Sequence, residues 1–505
     1  MSSSHNPHPQ DDPEGDEPDM LDADEALEEV EQGDDDDVAM DSDDDDQQEE
    51  IALENDSIAY FDAHKDSVFC IAQHPKYPSL IATGGSEGDD DDAPGKGYIF
   101  DASAAESRPV LPPSFSSDPS ARAEGTQLQP LFSIDGHTDS INTLAFTLPN
   151  GDFLVSGGLD GRLRAYAVRV APGAQPQFKF LAESQEVPEI NWVAPCPSPQ
   201  YPNTVALGAS DGSVWVYTVD PSDKANPLQI VQSYFLHTGP VTAGTWTPDG
   251  NLLATVSEDS SLYVWDVWGL AAGKGLVGDN GQTCVSLTGA DQRFEVEGGL
   301  YSVAVSPSGG VLACGGAGGA IRVVGMPRLA DAGGGAQQPK GGKARSAAEP
   351  AAQAGAILAA LQVQSDSIET LAFAPAPQTL LAAGSVDGSV AVYDTSRSFA
   401  LRRNIAGAHD DFSVVKVEWV RSAGSAGGQW LLTSCGMDGV VRRWDLRGAT
   451  PAQNISGAAA AGLVKEWKGH RGDGEGGGVL GFVQGETGER IVTAGDDGVV
   501  LVFEA

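Results

Sequence analysis

The chain has 505 residues, with 73 Asp or Glu against 29 Lys or Arg, for a net charge of −44. That balance argues against nucleic acid and anionic membranes as direct partners, because phosphate would be repelled, and it points to a basic protein instead. No apolar run approaches the ~18 residues of a membrane span, and the N-terminus lacks the basic and apolar regions of a signal peptide.

In chain order, residues 1–56 come first, with 25 acids and no Lys or Arg. The stretch is rich in Asp, Glu, Pro and Ser and cannot bury enough apolar surface to offset chain entropy, so it is expected to be a disordered acidic tail. SIAYFDAH follows at 57–64, a strand-like segment with no partner nearby in sequence.

A repeat then begins. Its clearest copy is LLTSCGMDGVVRRWDL at 431–446: an apolar strand, a small turn, an Asp, and a second strand with an aromatic six residues after the Asp. The same spacing gives Asp160/Tyr166, Asp211/Tyr217, Asp259/Trp265, Asp387/Tyr393, Asp438/Trp444 and Asp497/Phe503. Two degenerate copies complete eight. The copy at 80–102 carries an acidic insert, Asp89 to Asp92, and the copy at 311–326 has Gly318 and Val324 in place of the Asp and the aromatic, which leaves its shape open. A further strand precedes each pair, led in by a turn that holds His64, His137, His237, His409 or His470 in five copies.

These units resemble WD repeats, which build four-stranded blades around a central channel. The expected fold is therefore all-β, an eight-bladed propeller over 57–505, with strand 57–64 closing the last blade and so hiding two free sheet edges. The resemblance implies a buried relay of turn His, strand Ser, turn Asp and Trp. His409, Ser434, Asp438 and Trp444 match it, as do His237, Ser257, Asp259 and Trp265. Low-complexity inserts at about 103–128, 170–177, 268–282, 327–355 and 449–461 each fall between the third and fourth strands. They crowd one face, the bottom, and leave the face of the His and Asp turns open. The basic insert QQPKGGKARS at 337–346 reads as a flexible loop.

No phosphate loop, nucleophile elbow or zinc-protease motif is present, so no enzyme, catalytic residue, metal or cofactor is expected. The five cysteines are scattered without C-x-x-C spacing and read as reduced, buried thiols. What the fold leaves free is a set of acids on the top face: Asp66, Glu87, Asp139, Glu189, Glu258, Glu297, Asp366, Asp410, Asp411, Asp473, Glu475 and Asp496. Every repeat supplies at least one. Like charges gathered around one mouth repel, and such a focus makes sense when a cationic ligand comes to it. One exposed ion pair gives only ~0.2–1 kcal/mol, whereas a micromolar complex needs about 8 kcal/mol, so several cations must engage together, most simply on an extended segment.

The acidic leader joined to SIAYFDAHKDSVFCIAQHP and ATGGSEGDDD, together with the closing CGMDGVVRRWDLRG and TAGDDGVVLVFE, is similar to the family of the angio-associated migratory cell protein and its fungal ribosome-assembly counterparts. That resemblance implies an ATP-independent, monomeric, cytoplasmic chaperone, with the nucleus as a second compartment. It would hold the basic N-terminal segment of the newly made large-subunit ribosomal protein L-ten on its acidic top face and deliver it for subunit assembly. The alternatives are a scaffold or adaptor in signalling or ubiquitin transfer, and a histone-binding propeller.

Overall fold

The computed structural model describes residues 55–88, 93–105, 126–171, 173–329, 354–421, 430–447, 462–472 and 477–505. The Asp-rich leader, Asp89 to Asp92, the basic insert at 337–346, Asp473 and Glu475 lie outside them. Eight sheets make up the propeller, and in blades 1 to 7 four antiparallel strands, a to d, follow one another along the chain. Blade 7 shows the pattern: Val414–Trp419, Leu431–Gly436, Val441–Asp445 and Leu463–Trp467. Strand a of one blade packs on strand a of the next, so these strands form the innermost ring.

Burial follows position in the blade. Strand b has a neighbour on each edge and a blade on each face, and all its residues are buried in Phe153–Gly158, Thr204–Ala209, Leu252–Ser257 and Leu380–Ser385. Hence these strands read as continuous apolar or small runs instead of alternating. The outer strand Ile357–Gln362 alternates half-buried with exposed residues.

The recurrent Gly near the end of strand b has a packing cause. The first residue of the next blade's strand a is a β-branched side chain that sits directly on it. A Cβ on Gly84 would lie 2.6 Å from Ile141 Cγ2, one on Gly157 2.8 Å from Ile190 Cγ2, and one on Gly384 2.7 Å from Val414 Cγ1. Each wedge is thereby keyed to its neighbour.

Blade 5 is a regular four-stranded sheet despite its degenerate turn. Val324 is fully buried where other blades hold an aromatic, and Val296 is buried four residues before strand Leu300–Val305, the spacing at which other blades place the turn His. Apolar packing here takes the place of the polar relay.

The ends of the described chain meet in blade 8. Ala59–Phe61 pairs antiparallel with Val500–Glu504, with Ala59 opposite Val502. Asp56 N–H donates to the Lys468 carbonyl at 2.9 Å. A fifth strand was not legible in the sequence: Thr126–Gln127, at the end of the 103–128 insert, pairs parallel with Ala59–Phe61. It covers the edge that the closing strand would otherwise leave open. Phe61 is fully buried and stacks on Phe100 of blade 1 with centroids 4.5 Å apart. Phe61→Ala is expected to lower stability by about 3–5 kcal/mol, as for other large core truncations, read from the denaturant midpoint. A loss below ~1 kcal/mol would mean that the closing strand contributes little.

Candidate functional site: the acidic mouth of the propeller

The lead-in turns are held by the His relay. In blade 7, His409 Nδ1 lies 2.9 Å from Asp438 Oδ1 and Nε2 lies 2.7 Å from Ser434 Oγ, which also accepts from Trp444 Nε1 at 2.9 Å. Burial alone would push the Asp438 carboxyl up. The hydrogen bond from His409 and the charges of His409 and Arg442 outweigh it, and the net pKa is lowered.

Blade 4 corrects the sequence reading. Its hydroxyl is Thr255, not Ser257: His237 Nε2 and Trp265 Nε1 both lie 2.8 Å from Thr255 Oγ1. Ser257 instead donates to the Gly239 carbonyl at 3.0 Å. Ser261 stands between His237 Nδ1, at 2.6 Å, and Asp259. The relay hydroxyl sits four residues before the turn acid, as do Ser156, Ser434 and Thr493 in their blades. Ser257 sits only two before it, on the same face of the strand but at its end.

Above the relays, one backbone bond recurs around the top. The residue before each turn Asp donates its N–H to the residue that precedes strand a: Leu159 to Ser140 at 3.0 Å, Ser210 to Glu189 at 3.2 Å, Met437 to Ser413 at 2.9 Å and Asp496 to Gly478 at 2.9 Å. Both positions are thereby brought to the top, beside the start of the innermost strand. The second residue of strand a then bulges out of register. In blades 2 to 4 its side chain bonds to the next blade: Asn142 to the Ile190 carbonyl at 2.7 Å, Asn191 to that of Val241 at 3.1 Å and Thr242 to that of Leu300 at 2.6 Å. The same place holds Tyr301, Glu369, Val415 and Leu480 in blades 5 to 8, and in blade 1 Phe69 stands just ahead of strand Cys70–Gln73. These eight residues line the mouth.

The acids expected from the sequence divide into groups. Glu189, Glu258, Glu297 and Asp366 are exposed, and none has an ion pair among the described residues. Asp139 and Asp366 each accept the N–H of the following serine at 2.7 Å, which fixes their turns and leaves a carboxylate oxygen over. Asp66 and Asp496 meet across the blade 8 to blade 1 seam, where Ser67 Oγ lies 2.6 Å from Asp496 Oδ1 and 3.4 Å from Asp66 Oδ1. Glu87 is different. It stands in the turn-acid register of blade 1, four residues after Thr83, and its carboxylate is taken by Lys65 at 2.6 Å and Lys96 at 3.6 Å. It is not free for a ligand. Asp410 and Asp411 are exposed in a lead-in turn one residue longer than that of blade 2. Asp410 takes up the extra length in the left-handed region, at φ 52°. The insertion puts Phe412 where Asp66, Asp139 and Asp366 stand in their blades.

Sequence reasoning missed Glu369 and Tyr301, because both lie in strand a instead of a turn. The available signal was register: each is the second residue of its inner strand, where blades 2 to 4 place Asn or Thr. Tyr301 Oη donates to the Gly298 carbonyl at 2.6 Å. Burial, then the charges of Glu258 and Glu369, raise the Tyr301 phenol pKa. Glu369 keeps contact with water, yet crowding by the surrounding chain and then the charge of Asp366 raise its carboxyl pKa. Glu258 and Glu369 thus both bear on Tyr301, and Asp366 bears on Glu369, which links acids of blades 4 and 6 across the tyrosine of blade 5. This is a concentration of negative charge that water does not fully screen.

Fold and rim together define the class of the protein, an eight-bladed WD-repeat propeller with an acid-lined mouth. The family model for the WD domain, G-beta repeat, matches residues 128–166, 228–266 and 355–394. The fold is similar to the crystal structure of Chaetomium thermophilum Sqt1, with 66 % identity, coverage of 90 % of this chain and 98 % of that one, and a TM-score of 0.77. A second crystal structure of that protein, bound to the N-terminus of the ribosomal protein L10, is 65 % identical, covers 90 % of this chain and all of that one, and also has a TM-score of 0.77. The ribosome assembly protein SQT1 of Saccharomyces cerevisiae is 28 % identical over 54 % of this chain and 55 % of its own length, so this match spans about half of that relative. The human angio-associated migratory cell protein is 25 % identical over 89 % of this chain and 80 % of its own length. The chain belongs to the Sqt1 family of WD-repeat proteins.

The buried histidines make the fold acid-sensitive. Burial, only partly offset by the charge of Glu87, lowers the His64 pKa from 6.5 to about 4. The unfolded chain takes up this proton below 6.5, and the folded protein refuses it until about 4. Stability from the neutral ring is thus full above 6.5 and is lost as the pH falls through that window, by at most about 3 kcal/mol. The lowered carboxyls of Asp160, Asp387 and Asp438 act in the same direction at lower pH. Urea unfolding should show a midpoint that falls steadily between pH 6.5 and 4, and His64→Gln should flatten the upper part of that curve.

Proposed function

We propose that the protein is a dedicated chaperone of the ribosomal protein L10, holding its basic N-terminal segment across the acidic mouth until L10 joins the large ribosomal subunit. The observation that carries this reading is the convergence of Glu258 and Glu369 on Tyr301, with Asp366 beside Glu369, in a chain 65 % identical to an Sqt1 bound to the L10 N-terminus. A basic segment exposed on a free ribosomal protein would otherwise meet RNA and other anions. Carboxylates around a mouth satisfy it reversibly, without chemistry, so neither ATP nor any catalytic group is needed. Glu189, Glu297, Asp66, Asp139 and Asp496 extend the field around the rim, and Asp410 and Asp411 contribute from the longer turn of blade 7. The site of action under this proposal is the cytoplasm.

The charge reversals Glu258→Lys and Asp366→Lys together are expected to weaken binding of an L10 N-terminal peptide by at least about tenfold at physiological salt, and to make the remaining binding less salt-dependent. Calorimetric titration measures both, and unchanged affinity would place the binding site elsewhere. A histone-tail peptide is the control for general cation capture: it should bind more weakly than the L10 peptide. The acidic leader is assigned long-range steering. Removal of residues 1–50 should slow association, most strongly at low salt, without abolishing the complex. Complete loss of binding would give the leader, not the mouth, the principal role.

A further inference from the structure

The mouth is not chemically uniform. In blades 2 to 4 the bulged residue of strand a is polar and ties its blade to the next. In blades 7 and 8 the same position is Val415 and Leu480, and in blade 1 Phe69, just ahead of strand Cys70–Gln73, is 40 % exposed. A Phe there cannot make the bond that Asn142 and Asn191 make, and it leaves a large part of its apolar surface exposed. Phe412, 37 % exposed, replaces an acid of the lead-in turn. Leu159, 36 % exposed, precedes the turn Asp of blade 2. Met437 precedes that of blade 7, and a Cβ on Gly478 would fall 2.6 Å from its sulphur, which puts the thioether at the blade 7 to blade 8 seam.

Phe69, Phe412, Leu159, Met437 and Leu480 form one arc of the mouth, over blades 7, 8, 1 and 2, while Val415 packs against the core between blades 7 and 8. Glu189, Glu258, Asp366 and Glu369 hold the other arc, over blades 3 to 6. Asp66, Asp139 and Asp496 lie within the apolar arc, so charge borders it closely. Uncovered apolar surface set beside unpaired carboxylates matches one kind of occupant: a segment with cations and apolar side chains together.

The geometry points to a two-part reading of the client, with its cations on the acidic arc of blades 3 to 6 and at least one large apolar side chain seated on Phe69, Phe412 and their neighbours. This rests on the proposed capture of a basic segment and adds the feature that separates the right client from any other polycation. Charge alone accepts every basic tail, whereas an apolar contact is lost in full by a client that lacks the side chain.

The test is fluorescence anisotropy of two labelled probes, an L10 N-terminal peptide and a polylysine of equal charge, against the full chain and its Phe69→Ser/Phe412→Ser variant across a salt series. Both residues are surface-exposed, so the variant should fold. The L10 peptide is expected to bind the variant about tenfold more weakly, with an unchanged slope of log affinity against log salt. Polylysine should bind both proteins alike, and Glu258→Lys should reduce the salt slope for both probes. Equal affinity of the L10 peptide for wild type and variant at high salt would overturn the apolar arc while leaving capture by charge intact. Parallel loss of polylysine binding would also overturn it, as the sign of general damage to the mouth. Failure of the L10 peptide to bind the wild-type chain at any salt would overturn the functional reading, and the arc with it.

Discussion

Everything in this molecule depends on closure of the ring. A blade is a sheet with two apolar faces, and it is stable only with a blade on either side. Blades 2 to 7 obtain both neighbours from consecutive sequence, but blades 1 and 8 must find each other across the ring, and blade 8 recruits its outer strand from the segment ahead of blade 1. Ala59–Phe61 does this by pairing with Val500–Glu504, and Phe61 then locks the seam by stacking on Phe100 of blade 1. Without that junction blades 1 and 8 would each expose a core face. The parallel strand Thr126–Gln127 protects the same junction from outside.

Closure also creates the site. Because the inner strands run side by side around one channel, their first residues key into the glycines of the preceding blade, and their second residues are forced to the mouth. The same backbone geometry therefore places Asn142, Asn191 and Thr242 as ties between blades, and Tyr301 and Glu369 as members of a charged cluster. A position that ties blades together becomes part of a charged rim by a change of side chain alone. The relay of His, hydroxyl and Asp beneath it keeps the lead-in turns from yielding when like charges accumulate above them.

The division of the relay from the rim explains how an acidic protein of this kind stays folded. Turn aspartates such as Asp160 and Asp438 are held as carboxylates by hydrogen bonds and nearby cations, and their charge is spent inside the blade. Rim acids such as Glu258 and Asp366 have no counter-ion among the described residues. Glu87 shows the two roles are set by register: one position away from the rim set, it falls into the turn-acid place and is neutralised by Lys65 and Lys96.

Repeat number, blade class and the closing role of the segment before His64 could be read from the sequence because they depend on local spacing, and every blade repeats that spacing. The acidic character of the top face was legible for the same reason, since the turns are recognisable one by one. What only the tertiary structure decided is which acids act together. Glu258 and Glu369 are more than a hundred residues apart, and they meet around Tyr301 because the ring brings the inner strands of blades 4, 5 and 6 side by side. The exchange of Ser257 for Thr255, the loss of Glu87 to two lysines and the displacement of Asp410 by a one-residue insertion are likewise matters of register. A side chain's face changes with a single step along a strand or turn, and sequence spacing alone does not record that step.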